Sequence, residues 1–187
     1  MSRINLGPQS LIYPEPVLMV AAYDEDGTPD IMNAAWGGVS GANQITMCLS
    51  PGHKTVKNIL IHKAFTVSFA TADTVVESDY VGIVSANDVP DKFARAGFTA
   101  TKSETVDAPL VDQYPVALEC QLKSYDEDTH IMIGDIKNVA VAEGYLTEAG
   151  TIDVAKLQPI AYDGNNHNYN VLGPVVGKAF SDGAKLK

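Results

Sequence analysis

Long apolar runs are missing from this chain. Nothing approaches the ~18 to 20 consecutive apolar residues that a membrane-spanning helix needs. The opening residues, Met1-Ser2-Arg3-Ile4-Asn5, carry no apolar core of a secretory signal. The expectation is a cytoplasmic protein with no membrane partner. Basic residues are also scarce, 13 Lys and Arg against 23 Asp and Glu, which leaves a formal charge of −10. General nucleic-acid binding needs a basic face, so it is not expected. A local anion site remains open, because a few oriented donors hold one phosphate on an otherwise acidic surface. Only two cysteines occur, Cys48 and Cys120, each in an apolar, strand-like run and without a CxxC. They read as buried free thiols. The four histidines are scattered, so no metal site is expected. No GxGxxG follows the first strand, and a Rossmann dinucleotide site has no support.

What is present is a globular chain: 187 residues, 45% hydrophobic and 19% charged, which suits a packed core rather than disorder. Val17 to Tyr23 is apolar and β-prone, Asp24-Glu25-Asp26-Gly27 is turn chemistry, and Ile31 to Trp36 resumes a strand. That pattern predicts a hairpin. After the Gly-rich Gly37 to Gly41, Ile45 to Leu49 reads as a third strand broken by Pro51-Gly52. Val56, Ile59, Leu60 and Lys63 then fall at helical spacing, predicting a short helix over Lys54 to His62. Phe65 to Ala70 alternates like a strand. Asp73 to Ser85 and Asp91 to Ala96 fit helices, the second stopped by Gly97. Val116 to Tyr125 and His130 to Tyr145 form a long predicted hairpin around Asp126-Glu127-Asp128. Strands mostly follow strands, and the helices are short inserts. This favours an antiparallel barrel over a doubly wound sheet.

Two stretches carry chemistry. In Leu49-Ser50-Pro51-Gly52-His53-Lys54-Thr55 a strand gives way to a helix among hydroxyl, imidazole and ammonium groups. The free N–H groups of a helix N-terminus make an anion seat, to which Ser50, His53, Lys54 and Thr55 can add donors and charge. A capped surface helix would give the same pattern. In Asp30 to Gly38, the polar Asn33 sits beside the small Ala34 and Ala35 and the only tryptophan, Trp36. Small side chains let a flat aromatic ligand approach the backbone. A strand with Trp36 as a core anchor is the alternative.

Together these segments resemble the flavin reductase-like family of FMN-binding split barrels, above all its flavoredoxin-like branch. The likeness extends over Pro29 to Trp36, Ser50 to Ile59 and Phe65-Thr66-Val67-Ser68-Phe69. It continues through Asp79 to Ser85, Asp91-Lys92-Phe93 and the tail Tyr169-Asn170-Val171-Leu172-Gly173. The resemblance implies a mainly β protein with short helices, an antiparallel six-stranded split β-barrel. It implies one domain over 1–187, with a core of about 12–160 and a dimer or active-site arm of about 161–187. A homodimer would form two FMN sites. Asn33, Ala34, Ala35 and Trp36 would line the isoalloxazine or ribityl chain, and Ser50, His53, Lys54 and Thr55 would hold the phosphate. Ser85 and Lys92 would lie near the flavin. Many relatives carry Arg in the phosphate turn, and His53-Lys54 keeps the charge with less bidentate geometry.

The implied activity is an FMN-dependent oxidoreductase. NAD(P)H or a redox protein would be the donor, and a flavin, a metal complex or a protein the acceptor. Alternatives are an FMN-binding electron carrier without NAD(P)H turnover, a pyridoxamine phosphate oxidase-like enzyme, and a β-barrel dimer without a cofactor. No side-chain acid or base is required for transfer through a flavin. His167, in the Asn-rich stretch Tyr162 to Tyr169, is the one candidate to meet a nicotinamide or the reduced flavin; plain turn chemistry is the alternative. His62 reads as a favourable helix C-terminal charge, and His130 is given no role. The acidic turns Asp24-Glu25-Asp26 and Asp126-Glu127-Asp128 read as solvated tips.

Overall fold

The computed structural model describes residues 1–187 and contains twelve strands and four α-helices. The first strands are β1 (Glu15–Pro16), β2 (Leu18–Tyr23), β3 (Pro29–Ala34), β4 (Gly37–Gly41) and β5 (Gln44–Cys48). Helix α1 (Lys54–His62), β6 (Ala64–Phe69), α2 (Val75–Ile83) and α3 (Lys92–Arg95) follow. Then come β7 (Ala100–Lys102), β8 (Pro109–Val111), β9 (Val116–Asp126) and β10 (Ile131–Val141). Helix α4 (Val154–Leu157), β11 (Ile160–Asp163) and β12 (Asn168–Val171) complete the chain.

The main sheet has seven strands in the order β3-β2-β6-β9-β10-β5-β4, with every pairing antiparallel. Its two edge strands, β3 and β4, are neighbours in sequence, separated by Ala35 and Trp36 alone. The sheet must therefore curl until its edges meet. Gly37 marks the seam: a Cβ there would stand 2.8 Å from Leu18 Cδ1 of β2 and 2.8 Å from Met47 Cγ of β5. Only glycine lets the two halves approach this closely. This is a mainly β, split-barrel fold with short helices. Its inward-facing core comes from six strands: Leu18 and Val20, Met32, Met47, Phe65 and Val67, Cys120, and Met132. The edge strand β4 adds none of these, being mostly exposed and Gly-rich.

Strand β2 shows why Val17 to Ala22 is uniformly apolar rather than alternating. Leu18, Val20 and Ala22 face the barrel core, while Val17, Met19 and Ala21 face a second core with Val81, Phe93 and Tyr114. A strand covered on both faces has no position for a polar residue. Helix α1 runs over the range expected from its spacing and inserts Val56 and Ile59 into the barrel core. It ends at Lys63, whose left-handed backbone returns its N–H to the Ile59 carbonyl.

Two regions differ from the sequence expectation. Asp73 to Ser85 is a 3-10 turn, Ala72–Thr74, running into α2, because the Thr71 and Thr74 side chains form a capping box there. The Asn-rich stretch is a hairpin: β11 and β12 pair Tyr162 with Tyr169 and Asp163 with Asn168, and β1 completes a three-stranded sheet. The Asn and Gly residues occupy its tip, where His167 takes a positive φ of 55. No helix is long and apolar enough to cross a membrane.

Candidate functional site

The corner between β3 and β4 opens onto a cavity of ≈ 400 Å3. Asn33, Ala34, Ala35 and Trp36 form one wall; His53, Lys54 and Thr55, at the start of α1, form another. Ser85 and Lys92 close the third side with the end of α2. Residues distant in sequence thus converge at the barrel seam. Ser50 is the exception: it is exposed on the outer lip and does not line the cavity. Trp36 is 59% exposed, so it is not a core anchor.

The floor is a buried charged cluster. Asp30 of β3 accepts a hydrogen bond from the Thr55 hydroxyl at 2.6 Å, so that hydroxyl is already engaged. Lys92 is only 3% exposed; its Nζ donates to the Val81 and Val84 carbonyls at 3.1 and 3.0 Å. Asp30 Oδ1, which has no hydrogen-bond partner, lies 3.6 Å from the same ammonium. Burial pulls the Lys92 pKa below its ordinary value, and the Asp30 charge opposes that pull. Lys92 therefore ties the end of α2 to β3, and Asp30 ties β3 to α1. Three walls are fastened from behind by one network.

Above that floor, α1 begins without a side-chain cap: His53 occupies the N-cap position with extended backbone and makes no capping bond. The first-turn N–H groups have no intrahelical acceptor, and the helix dipole adds positive potential. Desolvation, joined by the Lys92 charge, lowers the His53 pKa below its ordinary value. Lys54 is drawn away to Asp24 at 2.8 Å, which lowers the Asp24 pKa. Asn87 closes the lip: its Nδ2 donates to the Gly52 carbonyl at 3.1 Å and to Ser85 Oγ at 3.1 Å. Asp24, Asp30 and Asn87 are participants that the motifs did not single out. Asp30 was visible as the lone acid within an apolar strand, while Asn87 gave no signal.

Asn33 sits against α2, where its Nδ2 donates to the Ser78 carbonyl at 3.0 Å. A Cβ on Gly82 would collide with the Asn33 amide, so glycine is what admits this close approach. On the other side of Asn33, Ala34 and Ala35 lies a second cavity of ≈ 310 Å3, which holds His167 with Tyr162, Tyr169 and Asp79. Tyr169 donates to Asp79 at 2.7 Å, and Tyr162 and His167 Nδ1 are 2.8 Å apart. Burial first, then Asp79, pushes the Tyr169 pKa up to about 12. Cys48 lines the first cavity; Cys120 is buried in the barrel, and burial pushes its thiol up to about 12. Both thiols are free. No cluster of three potential metal ligands exists.

A curled antiparallel sheet whose edges meet beside an uncapped helix start defines a split barrel. The chain belongs to the flavin reductase like domain family, which matches residues 10–166. It is similar to the flavoredoxin of Desulfovibrio vulgaris (Miyazaki F), at 36% identity over 97% of this chain and 100% of that one, with a TM-score of 0.93. It is also similar to the flavoredoxin from Methanosarcina acetivorans, at 25% identity over 100% of both chains, with a TM-score of 0.90. An FMN-binding protein from Thermus thermophilus with bound 1-cyclohex-2-enone shares the fold. That pair has a TM-score of 0.75 at 20% identity, over 95% of this chain and 99% of that one.

Proposed function

We propose that this chain binds FMN in the seam cavity and acts as an oxidoreductase that passes electrons through it. The observation that carries this reading is the uncapped start of α1 opening into a cavity walled by Asn33, Ala34, Ala35 and Trp36. Backbone N–H groups there suit a phosphate dianion, and the small residues leave a flat wall for an aromatic ring system. Bound there, FMN would supply the hydride and electron chemistry. The protein's part is placement. The α1 N–H groups and the nearby Lys54 hold the phosphate, Asn33 and Ser85 offer polar contacts, and the Asp30–Lys92 network fixes the walls. His53, at the N-cap position on the cavity wall, has a ring nitrogen able to donate to the phosphate.

NAD(P)H or a redox protein is the proposed donor, and a flavin, a metal complex or a protein the acceptor. A second reading, an electron carrier without NAD(P)H turnover, is favoured by one feature. The second cavity has no Lys or Arg in its lining to meet a dinucleotide's phosphates. The chain is proposed to work as a homodimer, because Trp36, Val39, Val76 and Ile83 are exposed at or near the seam.

The test is titration of flavin-free protein with FMN and with riboflavin, followed by absorbance. FMN binding at least about tenfold tighter than riboflavin is expected, from charge-assisted bonds to the phosphate. Equal affinities, or no binding, refute the site. Steady-state oxidation of NADH or NADPH with added flavin separates the enzyme from the carrier. Light scattering reads the dimer.

A further inference from the structure

We propose that the second cavity binds a planar aromatic cation without a phosphate, of the N-alkylpyridinium class. Its walls are aromatic: the Tyr162 and Tyr169 rings are 5.9 Å apart at 49°, and the His167 ring is 6.4 Å from Tyr162. The faces of such rings attract cations within about 6 Å. A carboxylate stands behind the rings. Asp79 receives the Tyr169 hydroxyl at 2.7 Å. Glu15 lies directly across the strand pair from Tyr162, as Tyr169 does on the other side, so all three side chains share one face of the small sheet.

Glu15 is 3% exposed, and its Oε2 has no hydrogen-bond partner. It lines the adjoining cavities with Pro14 and Pro16 rather than this one. No Lys or Arg lines the cavity. A dinucleotide's pyrophosphate would therefore meet Asp79 without a counter-charge, an arrangement that disfavours it. A cationic ring without phosphate meets aromatic faces and negative charge together.

The ligand's use as an electron donor or acceptor rests on the flavin reading above; its binding does not. The test compares methyl viologen with 4,4′-bipyridine, its neutral counterpart at pH 8, by calorimetry on flavin-free protein. Viologen is expected to bind about tenfold more tightly at low salt, and less so at high salt. Asp79→Asn should weaken viologen about threefold to tenfold and leave bipyridine unchanged. Tyr162→Leu should weaken viologen more than it weakens bipyridine.

Equal affinity for the two compounds overturns the proposal, as does an Asp79→Asn variant that binds viologen normally. NADH that binds more tightly and displaces viologen also overturns it. The titration repeated with FMN keeps the two readings apart. Flavin that fails to bind is seen in the absorbance and leaves the viologen result standing. Flavin that binds and expels viologen makes the two cavities one site and sinks the proposal.

Discussion

The two cavities on either side of Asn33, Ala34 and Ala35 are built from opposite materials. The seam cavity has cations in its walls but has neutralised most of them: Lys54 against Asp24, Lys92 against Asp30 and two carbonyls. Its open polar donors are the backbone N–H groups at the start of α1. The hairpin cavity has no Lys or Arg, and tyrosines with Asp79 behind them form part of its walls. The contrast shows that ligand sign in an acidic protein is set locally. A helix terminus makes one pocket positive without net charge, and aromatic faces make its neighbour attractive to cations.

The comparison breaks most severely at Lys92. Replacing it with Met leaves Asp30 buried without a counter-charge and frees the Val81 and Val84 carbonyls. Loss of one partner of a buried pair costs about 3–5 kcal/mol. Urea denaturation should show that loss, and Asp30→Asn in the same chain should recover part of it. A Lys92→Met protein of normal stability would mean that the network does not hold the walls.

Gly82→Ala tests the partition between the cavities. The new methyl must displace the Asn33 amide from Ser78, at a cost of about 1–3 kcal/mol for forced repacking. Flavin affinity should fall with it, while viologen affinity changes less. Unchanged FMN binding would remove Asn33 from the flavin contacts.

Asp24 and Lys54 sharpen the contrast from the seam side. Asp24 competes with any phosphate for the Lys54 ammonium, so Asp24→Asn should tighten FMN about twofold to fivefold, the range of an exposed ion pair. Lys54→Ala should weaken it by a similar factor. Riboflavin, without a phosphate, should respond to neither. Parallel changes for both flavins would show that the effect reaches the ring through packing rather than through charge.

How much of this was legible beforehand depends on how local the signal is. The hairpin β2–β3, helix α1 and the long β9–β10 pair could be read directly, because periodicity and turn residues are short-range. That two separate stretches meet at one corner was also legible in outline. Asn33 to Trp36 and His53 to Thr55 stand together in space, though residues 37–52 separate them in the chain.

What sequence could not show is which donors are already committed. Thr55 and Lys54 are the right residue types for a phosphate, yet their partners Asp30 and Asp24 lie on β3 and in the β2–β3 turn. Ser50 differs for a related reason, since the Pro51-Gly52 turn carries it outward. The β11–β12 hairpin was hidden because four-residue strands beside an Asn-rich tip look like continuous turn. The Tyr162–Tyr169 pairing exists only in the fold.

His53 provides the smallest expected effect and the finest test of the seam. Burial lowers its pKa in the folded state, and the Lys92 charge acts in the same direction. The unfolded chain therefore takes up this proton first as pH falls. Stability owed to neutral His53 is fully present above the ordinary value of 6.5 and declines as pH drops below it, towards the lower folded value. His53→Gln keeps a polar group of similar reach but cannot titrate, so its melting temperature should fall less than the parent's between pH 7.5 and 5.5. Inorganic phosphate in the seat should oppose the parent's decline, because a bound anion favours the imidazolium. Identical pH profiles for parent and variant would place the imidazole in ordinary solvent contact. They would also remove His53 from the phosphate seat, leaving the α1 backbone N–H groups and Lys54 to hold the anion.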